Sequence, residues 1–148
     1  MAFPLMYLCM QWFIWALLSA FFAGLTAVFA KVGVTSINSN LATAIRTSII
    51  LVITWGIALA SSRIDELVHV PKRSWVFLVL SALATGLSWL CYFRALQMGE
   101  VAQVAPIDKL SVVIAIVISV LFLGERLNPR EGIGAGLIVA GAVFLAWK

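Results

Sequence analysis

The sequence predicts an all-α integral membrane protein, a bundle of five transmembrane helices. Three observations carry that prediction. Apolar residues make up 64% of the chain and charged residues only 11%. Mean hydropathy is +1.11, which leaves too little polar surface to cover a water-soluble globule. The apolar residues also fall in long runs close to the roughly 20 residues a helix needs to cross a bilayer, separated by short linkers with turn chemistry.

The five expected spans are 12–31, 40–60, 74–95, 101–123 and 132–147. The run over 2–30, interrupted only by Gln11, measures about 43 Å at about 1.5 Å per residue. That is too long for one upright span and too short for two. Residues 1–11 therefore read as an interfacial lead-in turned by Pro4, and residues 12–148 as the five-helix unit. No Lys or Arg precedes the apolar run, which argues against a cleaved signal peptide. In the first linker Ser39 or Asn40 is the expected cap of the second helix. The longest linker, 61–73, holds Arg63, Asp65, Glu66, His69, Lys72 and Arg73, with Pro71 as a breaker. Gly124 closes the fourth helix and Pro129 precedes the fifth. The fifth span is short, about 24 Å, and crosses only with local thinning of the bilayer. Linkers of this size leave no room for a soluble domain.

The net charge of +4 does not indicate nucleic acid, because Lys and Arg at helix ends are ordinary membrane anchors. Five spans place Arg63, Lys72, Arg73, Arg126 and Arg130 on the side of the N-terminus. Lys31, Arg46, Arg94, Lys109 and Lys148 fall on the other side. Five face five, so the positive-inside bias vanishes. Leaving out Arg46 and Lys109, which lie within spans, makes it five against three. Such a chain is expected to insert in both orientations, the alternative being one orientation fixed by a partner or by the long linker. Cys9 and Cys91 read as small hydrophobes without a disulfide framework. The single His69 stands in a charged linker, so no metal site is expected. No nucleophile–base pair or phosphate loop suggests an enzyme, and no cofactor is implied.

Within lipid, helices pack through small residues and interhelical hydrogen bonds. The first span carries Ala16, Ser19, Ala23, Thr26 and Ala30 at helical spacing, and the second Asn40, Thr43, Thr47 and Thr54. The third offers Ser81, Thr85, Ser88 and Tyr92, and the fourth Ala105, Asp108, Ala115 and Ser119. Close packing alone accounts for most of these stripes. In the fifth span Gly132, Gly136 and Ala140 follow the small-xxx-small spacing that lets two backbones approach, which suits a packing or dimer helix. Asp108, Lys109 and Arg46 lie up to two turns inside their spans at similar depth. A charge at mid-membrane costs about 2.5–3.5 kcal/mol on insertion scales, so pairing of Asp108 with Arg46 or Lys109 is expected. The three form either a structural ion pair or a polar site on a substrate pathway. Pro106 frees a backbone carbonyl just ahead of Asp108 and is expected to bend the helix there.

The stretch 92–128, "YFRALQMGEVAQVAPIDKLSVVIAIVISVLFLGERLN", and the following "GIGAGLIVAGAVFLAW" over 132–147 resemble the EamA repeat unit of the drug/metabolite transporter superfamily. "NSNLATAIRT" and "APIDKL" are most similar to its single-repeat members, the five-span bacterial and archaeal transporters. The resemblance implies one half of a ten-helix inverted-repeat architecture, completed by an inverted copy of the chain or a homologue. The related four-span small multidrug resistance proteins use a membrane glutamate in their first helix. The first span here has no Asp or Glu, so that proton chemistry is not carried over. Asp108 is the one acid well inside a span, with basic Arg46 and Lys109 beside it.

The expected function is transport of small metabolites or drugs across the cell membrane, by alternating access between two inverted subunits of an antiparallel homodimer. The candidate substrate or coupling residues are Asp108, Lys109, Arg46, Tyr92, Ser88 and Ser19. The runner-up is a non-transporting membrane subunit packed against a larger partner.

Overall fold

A computed structural model describes residues 3–61, 67 and 69–147, residues 3–10 by their backbone alone. Arg63, Asp65 and Glu66 of the long linker, Lys148 and the Cys9 side chain lie outside the described residues. The described chain is helical with no strand, in the order α1 (Phe3–Gly33), α2 (Ser39–Ala60), α3 (Lys72–Met98), α4 (Val101–Asp108), α5 (Leu110–Ile118) and α6 (Pro129–Ala146). Five segments are long and apolar enough to span: Gln11–Gly33, Ser39–Ala60, Lys72–Met98, Val101–Leu123 and Pro129–Ala146. They match the expected spans to within three residues, the usual uncertainty of a helix end. Residues 3–10 are helical and continue into α1. Pro4 falls in the first turn, where its missing N–H costs no bond.

Local chemistry sets each boundary. The cap of α2 is Asn38, whose Oδ1 accepts the N–H of Asn40 at 2.9 Å, one residue ahead of the expected Ser39 or Asn40. Ser39 is buried instead, and its carbonyl accepts the Thr43 hydroxyl. The fifth helix begins earlier than expected because Asn128 and Glu131 form a capping box around Pro129. Its 18 residues reach about 27 Å, close to the thickness of a hydrocarbon core. A π-helical turn, Ser119–Leu123, ends the fourth span. Gly124, at φ +69° in the left-handed region open to glycine, closes it by donating its N–H to the Ser119 carbonyl.

The fourth span is not continuous. Pro106 cannot donate to the carbonyl four residues back, and the ladder then tightens to Lys109 N–H→Pro106 O (3.1 Å) and Val112 N–H→Lys109 O (3.0 Å). The break between α4 and α5 therefore falls on Lys109, three residues past the proline.

Helices α3 and α4 each touch α1, α2 lies along α3, and α6 lies along α4 and α5. The buried apolar cluster, Val34, Ala42, Phe93 and Leu96, sits at the end of the bundle where α1 turns into α2 and α3 into α4. Two side chains tie that end together. Lys31, in the last turn of α1, donates Nζ to the carbonyls of Leu96 (2.6 Å) and Gly99 (2.8 Å). Gln97, in the last turn of α3, donates Nε2 to the carbonyls of Val34 (3.1 Å) and Ile37 (2.7 Å). Each helix thus satisfies carbonyls that the other leaves open at its C-terminus. A Cβ at Gly99 would lie 2.9 Å from Val104 Cγ2, so this turn has room for glycine alone without a shift.

Candidate functional site

Beneath the tied end, four spans close around a cavity of about 250 Å³. Its wall takes Ala23 and Thr26 from α1, Arg46 from α2, and Ser88, Trp89 and Tyr92 from α3. Asp108, Lys109 and Ser111 come from the α4–α5 break. Five of the six sequence-derived candidates are brought together here: Arg46, Ser88, Tyr92, Asp108 and Lys109. The sixth, Ser19, is exposed a turn beyond Ala23 and outside this wall.

The charged groups divide differently from the simplest expectation. Asp108 Oδ2 pairs with Lys109 Nζ at 3.4 Å. Neighbours at i and i+1 diverge on a regular helix, and the break at Lys109 is what allows this pair to meet. Arg46 does not join it. Its guanidinium carbon stands 4.6 Å from the centre of the Trp89 ring and 5.4 Å from that of Phe93. Stacking of a cation on aromatic faces contributes about 0.5–2 kcal/mol, less than the roughly 2.5–3.5 kcal/mol of placing an arginine at mid-membrane. The rings hold Arg46 in place without neutralising it.

Two larger spaces share this wall. An apolar cleft of about 370 Å³ between α1 and α2, lined among others by Phe29, Ile45 and Ile49, reaches Thr26 and Arg46. A second space of about 450 Å³, bounded by Gln103, Val104 and Ala146, reaches Ser88, Tyr92 and Asp108. The polar cavity therefore lies between two regions of open space, with the charged residues on the partitions.

The hydroxyl stripe of α2 serves a different purpose. Thr43, Thr47 and Thr54 donate to carbonyls of their own helix, those of Ser39, Thr43 and Ile50. The polar contacts between helices come instead from Lys31 and Gln97, which sequence reasoning passed over. Trp89 and Ser111 were missed as well. Trp89 stands three residues before Tyr92, on the stripe already noted, and that spacing was the available signal. In α6, a Cβ at Gly132 would lie 3.4 Å from Leu127 Cδ2, whereas a Cβ at Gly136 would meet nothing within 4 Å. Ala140 borders an open groove with Val143, Phe144 and Trp147.

Among the described residues no cluster of His, Cys, Asp and Glu is suited to a metal ion.

Comparison with known proteins adds identity to this geometry. The model of the EamA-like transporter family matches residues 10–147. A Sinorhizobium protein named an uncharacterized transporter in the cobO 3' region is 55% identical over 136 residues, covering 92% of this chain and 96% of its own length. An uncharacterized protein of Methanocaldococcus jannaschii is 27% identical over 81 residues, covering 55% of this chain and 59% of its own length. No solved structure matches the chain at a significant level. A family match spanning all five helices, with a polar cavity held among four of them, places the chain as a membrane protein of the EamA-like transporter family.

Proposed function

We propose that the chain moves a small metabolite or drug across the cytoplasmic membrane by alternating access, with the Arg46–Asp108–Lys109 cavity as the site the solute occupies. The single observation that carries this reading is the cavity itself. Three ionisable residues from two spans meet there with Ser88 and Tyr92, and a charge set within a membrane span marks a solute or ion pathway by default. A scaffold subunit has no comparable reason to bear that cost. The broken fourth span supports the same reading, since discontinuous helices recur where transporters bind their solutes.

The transporting unit is an antiparallel homodimer. One five-helix unit supplies half of an inverted-repeat architecture, which a second copy completes. The balanced basic residues leave both orientations open. The uncovered face of α6 at Gly136 and Ala140 offers close backbone contact to a second copy. The first turns of α1, ahead of the span that begins at Gln11, stand at the membrane interface.

Reconstitution with the Asp108→Asn variant tests the site. Wild type is expected to carry solute into vesicles, and Asp108→Asn to lose at least about tenfold of that flux, as Lys109 loses its charge-assisted partner and the charge balance of the site changes, with an unchanged gel-filtration profile. Loss of folding together with flux would reduce Asp108–Lys109 to a structural ion pair.

A further inference from the structure

The charge arithmetic of the cavity goes one step beyond the transport reading and rests on it. Asp108 is engaged by Lys109 at 3.4 Å. Arg46 faces no carboxylate at ion-pair distance among the described residues, and its guanidinium makes no hydrogen bond there. It is held by its π faces, 4.6 Å over Trp89 and 5.4 Å over Phe93. Stacking engages the plane of a guanidinium and leaves its in-plane N–H fork unspent. One positive charge and a set of fixed donors therefore border a 250 Å³ cavity, beside the hydroxyls of Ser88, Tyr92 and Ser111.

We propose that this cavity is an anion site, taking a small organic oxyanion of single net charge with its head group on Arg46. A planar fork matches the two oxygens of a carboxylate or of a phosphate diester. Two bases and one acid sum to one positive charge, which a monoanion neutralises and a cation would double. The hydroxyls of Ser88 and Tyr92, on the side of the cavity facing the larger space, suit the polar remainder of such a solute. Trp89, under the guanidinium, makes the site readable by fluorescence.

The test uses the full chain in detergent with Trp12, Trp15, Trp55, Trp75 and Trp147 changed to Phe, so that emission reports Trp89. Iodide, an anionic quencher, is expected to quench saturably and more strongly than caesium. Arg46→Gln is expected to weaken that quenching about tenfold or more, the loss of one charge-assisted contact. Arg46→Lys is expected to keep iodide quenching but lose preference for planar oxyanions. Acetate and inorganic phosphate then compete with iodide, and the one effective at lower concentration identifies the head group. Stronger quenching by caesium, iodide quenching that is linear and unchanged in Arg46→Gln, or no displacement by either oxyanion overturns the proposal. If the five-Phe protein fails to fold, equilibrium dialysis of labelled iodide against the unmodified chain and its Arg46→Gln variant separates the same outcomes. Flux without an anion site would leave a transporter of other solutes, and an anion site without flux would leave a binding subunit.

Discussion

Arg46 and Lys31 show how the same residue class serves two ends in one bundle. Lys31 reaches the open carbonyls at the end of α3, where a cation is favoured by the unsatisfied groups it meets. Lys31→Met keeps the aliphatic stem and removes both contacts. Charge-assisted hydrogen bonds contribute about 1.5–3 kcal/mol each, so the variant is expected to lower Tm in detergent by about 5 °C or more. Gln97→Leu should act in the same direction but by less, since its two bonds across to the α1–α2 turn are between neutral groups and its third, accepted from Arg94 at 3.3 Å, is long and exposed. A scanning fluorimetry trace unchanged in both variants would mean that this tie does not secure the bundle. Arg46 is the opposite case, a cation held by rings and left uncompensated, and its substitution is expected to change solute handling more than stability.

Among the elements, hydropathy made all five spans legible, because the bilayer imposes a length that the sequence must meet. Gly124 and Pro129 were legible for local reasons, a left-handed turn and a first helical position. The break at Lys109 was only half legible. Pro106 announced a defect, but its place depended on where the backbone could recover with shorter-range bonds. Ser88, Tyr92 and Asp108 were found on polar stripes, and Arg46 and Lys109 as charges set inside spans. Trp89 was not, since only the folded arrangement brings Arg46, from another helix, onto its ring. Lys31 and Gln97 were overlooked for a similar reason, as their partners lie on another helix. The small face of α6 carries its own prediction. A Cβ at Gly136 meets nothing within 4 Å in the protomer, so Gly136→Ile is expected to convert dimer to monomer in light scattering while leaving helicity intact. A dimer unaffected by the change would move the contact elsewhere.

Taken as a whole molecule, the bundle is closed at one end and open along its sides. The buried cluster and the Lys31–Gln97 tie secure the end bearing the α1–α2 and α3–α4 turns, and the polar cavity adjoins that cluster at Tyr92 and Arg46. Dual insertion predicts a specific labelling pattern for single cysteines at Ser36 and at Ser61, residues at opposite ends of α2, in a background lacking Cys9 and Cys91. A membrane-impermeant maleimide applied to intact cells should reach each of them in part of the population. Labelling at one position and never at the other would mean a single orientation and a different partner. The transport reading requires that this chain alone carries solute, and flux into vesicles measures that. Proteoliposomes made from the purified protein would be exposed to a pool of isotope-labelled small organic acids, amines and neutral metabolites, and their contents read by mass spectrometry. At least one organic acid is expected to equilibrate faster than in protein-free vesicles, and this gain is expected to be lost in Arg46→Gln and Asp108→Asn. If the folded protein moves no compound faster than bare lipid does, the chain is a packing subunit and the transport reading is wrong.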